Sequence, residues 1–101
     1  MKVQEIPLSA DNQQFGVSID GVMYNMRILW RGTFWVLDLQ DSSGKPLILG
    51  IPLVAGTNLL DQYHHMQLDF GMVVECDNPQ QEYPTQYDLG ATSHLYLITV
   101  I

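Results

Sequence analysis

Hydrophobic and polar positions alternate most regularly between Phe15 and Trp30. Phe15, Val17 and Ile19 are separated by Gly16 and Ser18, Asp20-Gly21 interrupts the run, and Val22, Tyr24, Met26, Ile28 and Trp30 resume it. A period of two places such residues on one face of a strand. Asp-Gly between two such runs is a strong hairpin signal, because both central residues of a type I′ turn need positive φ. Closing the loop at Asp20-Gly21 opposes Ile19 to Val22, Val17 to Tyr24 and Phe15 to Met26. All three pairs are apolar, so turn chemistry and register specify the same hairpin.

Gly32-Thr33 turns the chain into a third strand, Phe34 to Gln40, and Asp41-Ser-Ser-Gly-Lys-Pro46 turns it again into Leu47 to Val54. The runs Trp35-Val-Leu37 and Leu47-Ile-Leu49 are apolar on both faces, which predicts burial on two sides. Pro52 cannot donate a ladder hydrogen bond and belongs at an edge or a bulge. After Gly56, Thr57 or Asn58 can cap a helix of one or two turns covering Leu59 to about Tyr63, with Asp61 near its N-terminus. Leu68 to Cys76 reads as a strand containing Gly71 and ended by Asp77-Asn-Pro79. A loop rich in Gln, Pro and Tyr, from Gln80 to Asp88, precedes a last strand from about His94 to Ile101.

The predicted fold is all-β: a small barrel or sandwich of about seven mostly antiparallel strands with one short helix, residues 1–101 forming one domain. Ending at Val100-Ile101 with no polar tail predicts a terminus tied into the sheet or an interface. A single cysteine, Cys76, leaves no partner for an internal disulfide and is expected to be a buried thiol at a strand end.

Charge narrows the partners. Only 15% of the residues are charged, against roughly 25% in typical soluble domains. Such a chain either buries an unusual share of itself or presents apolar and amide surface to other proteins. Lys2, Arg27, Arg31 and Lys45 stand against eleven acids, for a net charge of −7. Four scattered cations cannot form the stripe that nucleic acid or an anionic membrane surface requires. No apolar run reaches the roughly 18 residues of a transmembrane helix. Met1-Lys-Val-Gln-Glu leads into a polar, proline-broken segment instead of a signal-peptide core, so synthesis in the cytoplasm is expected.

Candidate chemistry is sparse. His64-His65 with Cys76 and His94 is the one set resembling a metal site, but it lacks C-x-x-C or H-x-x-x-H spacing, and polar, partly exposed histidines are the simpler reading. Asp38, Asp41, Asp61 and Asp69 offer carboxylates that nothing in the sequence pairs for acid-base work. Asp38, between Leu37 and Leu39, is expected to be a buried structural carboxylate held by backbone amides or by Arg27 or Arg31. The serines lack a G-x-S-x-G context, and no glycine-rich phosphate loop is present. Trp30, Phe34 and Trp35 suit a core better than a sugar-stacking platform. No catalytic residue, metal or cofactor is expected.

The stretches "IPLSADNQQFGVSIDGVMYNMRILW", "WVLDLQDSSGKPLILGIPLVAGTNLLDQY" and "YDLGATSHLYLITV" together resemble the small phage baseplate plug family of contractile-tailed bacteriophages, over nearly the whole chain. The positions carrying the resemblance are Ile6-Pro7-Leu8, Trp30, Trp35, Leu37, Asp38, Leu39, Gly44, Pro46, Leu47, Gly50, Pro52, Leu53, Gly56, Leu59 and Leu60. His64-His65 departs from the aromatic or aliphatic pair expected there. The resemblance implies a virion structural protein of the tail baseplate that closes the hub near the tail axis. Its implied partners are other baseplate proteins of the hub, spike, tube or wedge and further copies of itself as a homo-oligomer, with no nucleic acid or membrane bound. A carbohydrate-binding β-module of a tail adhesin and a small enzyme subunit are the alternatives from other classes. Exposed tryptophans would mark the first and a convergent pocket the second.

Overall fold

The computed structural model describes residues 2–61, 63 and 68–99. Seven strands, β1 (Lys2–Ile6), β2 (Gln13–Ile19), β3 (Val22–Trp30), β4 (Trp35–Asp41), β5 (Pro46–Pro52), β6 (Phe70–Cys76) and β7 (Ser93–Thr99), form two antiparallel sheets. One sheet has the order β1-β7-β6 and the other β2-β3-β4-β5. The architecture is an open two-sheet sandwich and not a closed barrel. The hairpin falls where its turn chemistry requires: Asp20 and Gly21 have φ of 51° and 82°, and Ile19, Val17 and Phe15 oppose Val22, Tyr24 and Met26.

One core lies between the sheets. Met26, Ile28, Leu37, Leu39, Met72 and Leu95 are fully buried in it, and the Tyr24 and Phe70 rings meet edge-on across it at 5.4 Å. β4 is central to its sheet and buried on both faces. Trp35, Leu37 and Leu39 point inward, and Val36 and Asp38 are covered on the outer face. The two-faced expectation fails for β5, where Leu47 is half-buried and Leu49 is 56% exposed. Leu37 pairs with Ile51 and Leu39 with Ile48, so Asp38 alone opposes Leu49 and Gly50. That extra residue is a β-bulge, made possible by Gly50 at φ 76°, and it resets the inward face so that Ile48 and Ile51 are both buried. A second register shift falls between Leu39 and Gln40. Pro52 lies on an edge strand, as its missing donor demands.

The expected helix at Leu59–Tyr63 is corrected to tighter turns. Asp61 N–H donates to the Asn58 carbonyl at 3.1 Å and Tyr63 N–H to the Leu60 carbonyl at 2.9 Å, i to i−3 bonds with no α-helix among the described residues. Asn58 still caps the segment, its Oδ1 accepting from Leu60 N–H and Met72 N–H, each at 3.1 Å. Gly71 makes room for it, since a Cβ there would lie 2.9 Å from Asn58 Nδ2. Cys76 does end a strand, but it is half-buried instead of buried. Val100-Ile101 and His64-His65, on which two expectations rest, lie outside the described residues.

Trp35 ties the core to the loop between β6 and β7. It is 1% exposed, and its Nε1–H donates to the Thr85 carbonyl at 2.8 Å across fifty residues of sequence. Trp35→Ala is expected to cost about 3–5 kcal/mol. Trp35→Phe should cost less while still orphaning the Thr85 carbonyl. Urea denaturation followed by circular dichroism measures both, and wild-type stability in the alanine variant would contradict this packing.

Candidate functional site

The residues singled out in the sequence do not converge on one pocket; they assemble into three structural devices. The first is on the outer face of the four-stranded sheet. Arg27 and Asp38 are cross-strand partners, and the guanidinium grips Asp38 Oδ2 through Nε at 3.1 Å and Nη2 at 2.7 Å. Gly50 N–H, at the bulge, donates to Asp38 Oδ1 at 2.8 Å. Burial pushes the Asp38 pKa up, but the Gly50 amide and the Arg27 hydrogen bond and charge outweigh it and hold the carboxyl below its ordinary value.

The second device is the tryptophan pair. Trp30 and Trp35 rings meet edge-on at 5.4 Å, with Leu37 and Leu39 extending the same buried row. A buried Trp35 cannot serve a sugar-stacking surface. Pro46 and Pro52 begin and end the edge strand β5. The third device is the segment after β5. Gly56 N–H donates to the Val74 carbonyl at 3.1 Å and Leu59 N–H to the Met72 carbonyl at 2.7 Å, with Leu59 and Leu60 buried. It fastens the four-stranded sheet to the edge of β6.

Two polar clusters were not found from sequence. Asp88 organises the β6–β7 loop, its carboxylate accepting from Gln81 Nε2–H and Thr85 N–H, both at 2.8 Å. Its place at the loop's end gave no periodic signal. On the outer face of the three-stranded sheet, His94 lies between Glu5 and Asp77, with Nδ1 2.8 Å from Glu5 Oε2 and Nε2 3.1 Å from Asp77 Oδ1. Register would have exposed this cluster, but only once β1 was recognised. Cys76 instead receives the Ser93 hydroxyl at 3.3 Å. Asp41 is engaged in its own turn, accepting from Ser43 N–H and Lys45 N–H, each at 2.9 Å. Among the described residues, no group of three or more His, Cys, Asp or Glu could hold a metal ion.

What remains for chemistry is surface. Val22, Met23, Leu49, Val54, Tyr83 and Tyr87 are exposed, the last at 82%. Val54 borders two hollows of about 380 and 750 Å³, the larger also lined by Gln80, Gln81 and Tyr83. Apolar and amide groups of this kind suit protein contacts.

Removing the carboxylate in Asp38→Ala leaves the Gly50 amide unmet and Arg27 unpaired, and is expected to destabilise by about 1–3 kcal/mol in chemical denaturation. Because its folded pKa is depressed, the wild-type contribution is full above the ordinary value of 3.8 and is lost as pH falls through the folded pKa. His94 behaves oppositely. The hydrogen bond to Glu5 leads the effects raising its pKa above 6.5, assisted by Asp77 and opposed by partial burial. Its contribution is full below pH 6.5 and is lost as pH rises through the folded pKa. Melting temperature measured against pH should therefore fall on the alkaline side in wild type, and more shallowly in His94→Gln.

No curated protein matches the chain. A family model described as the cyanophage baseplate Pam3 plug gp18 matches residues 3–100, a span that takes in all seven strands save Lys2 and all three devices. With nearly every residue aligned, the chain belongs to this baseplate plug family.

Proposed function

We propose that this protein is a structural component of a contractile phage tail that closes the baseplate hub near the tail axis and aids baseplate assembly, without enzymatic activity. The observation that carries the reading is the family match over residues 3–100. The molecule supports it: the singled-out residues serve the core and its stitching, while charge-poor surfaces with exposed Leu49, Val54 and Tyr87 are left for neighbours.

Several copies ringed about the axis suit the task. The chain measures 32 × 27 × 22 Å, and closed rotational symmetry lets so small a body span a channel. A net charge of −7 suits a wall beside the DNA path, where like-charge repulsion keeps the genome from adhering. Contacts are with other baseplate proteins, synthesis is in the host cytoplasm, and no cofactor, nucleic acid or membrane is required.

Cryo-EM of intact particles, combined with immunogold labelling and a null mutant, tests this. The expected result is density for this fold at the axial end of the baseplate and defective tails without it. Label on the capsid or distal fibres, or normal tails and infectivity in the null mutant, would overturn the proposal.

A further inference from the structure

Of the four outer strand edges described, three are guarded against pairing. β5 is bracketed by Pro46 and Pro52 and bulged. β6 is covered by the Gly56 and Leu59 amides. β1 carries Lys2 and Glu5. β2 has no such protection: Gln13–Ile19 contains no proline and no charge, and its register with β3 runs without a shift. The two-residue turn closes on Ile19 and Val22 as a hydrogen-bonded pair, so alternation turns the N–H and C=O of Ser18, Gly16 and Gln14 away from β3. Between this edge and β1 runs a groove of about 290 Å³ lined by Phe15, Val17, Ile6 and Leu97.

We propose that the β2 edge receives an extended segment of another baseplate protein as an added strand. Alternate apolar side chains of that segment enter the groove, and lysine or arginine at its ends faces Asp11 and Asp20. Main-chain hydrogen bonds supply the affinity and the groove the selectivity. Charge decides the occupant. Two copies joined antiparallel through β2 and centred on Gly16 would set exposed Asp11 of one beside exposed Asp20 of the other, twice, between chains of net charge −7. A cation-flanked strand gains attraction at the same two places.

The inference rests on the baseplate reading, and one experiment separates the two. Full-length protein is added to baseplates from null-mutant particles, and amide hydrogen exchange is measured free and bound. Protection at Gln14, Gly16 and Ser18 should rise at least about a hundredfold on incorporation. Gly16→Pro deletes an outward-facing donor where an added Cβ meets only ordinary contacts, the nearest being Met23 Cε at 3.5 Å. It should fold and yet incorporate at least about tenfold less, as should Ser18→Pro. Should either variant misfold, wild-type exchange decides alone. Incorporated wild type with unprotected β2 amides, or two folded proline variants that incorporate normally, overturns strand addition alone. Protection of these amides in a dimer of the isolated chain replaces the proposed occupant with a second copy and also overturns it. Failure of wild type to enter baseplates sinks both readings.

Discussion

A carboxylate buried in the middle of a sheet constrains much of this fold. Asp38 is 4% exposed on the central strand β4, and taking it from water is costly unless its charge and lone pairs are met. They are met by one residue from each flanking strand, the Arg27 guanidinium from β3 and the Gly50 amide from β5. The Gly50 amide reaches the carboxylate from the bulge, and the bulge sets which residues of β5 enter the core. Electrostatics on the outer face thus fixes packing on the inner face, through a single glycine with positive φ.

Legibility in the sequence followed how local each cause is. The β2–β3 hairpin is specified by adjacent residues, Asp20-Gly21 and three apolar pairs, and was readable to the residue. The pattern of β5 was misread because its cause lies twelve residues away: Leu47-Ile-Leu49 shows no bulge until Asp38 is placed opposite it. β1 escaped because only Val3 and Ile6 of its five residues are apolar, and its place as a strand depends on pairing with β7 at the other end of the chain. His94 was hidden with it, since its partners Glu5 and Asp77 are 89 and 17 residues distant. At Leu59, propensity and a capping Asn58 pointed to a helix. The backbone instead closes i to i−3 turns at Asp61 and Tyr63, while Leu59 N–H and the Asn58 side chain are tied to Met72 of β6, so tertiary contacts outweighed local preference.

The positions that carried the resemblance are therefore informative about architecture more than about contacts. Trp35, Leu37 and Leu39 fill the core, Pro46 and Pro52 blunt an edge, and Gly56, Leu59 and Leu60 fasten one sheet to the other. Exposed apolar and aromatic residues, such as Met23, Leu49 and Tyr87, lie outside that set or between its members. Little recognition can be read from positions spent on making the scaffold.

The fastening after β5 also sets how the sandwich deforms. On the flank where β5 and β6 neighbour one another, backbone hydrogen bonds from Gly56 and Leu59 join the sheets, as a spine joins the covers of a book. On the opposite flank β1 and β2 belong to different sheets and share no ladder. Resistance to splaying is consequently unequal. Splaying at the β5–β6 flank would break main-chain hydrogen bonds, whereas at the β1–β2 flank there is no ladder to break. Load placed across the sheets would therefore meet main-chain hydrogen bonds at one margin and packing without a ladder at the other.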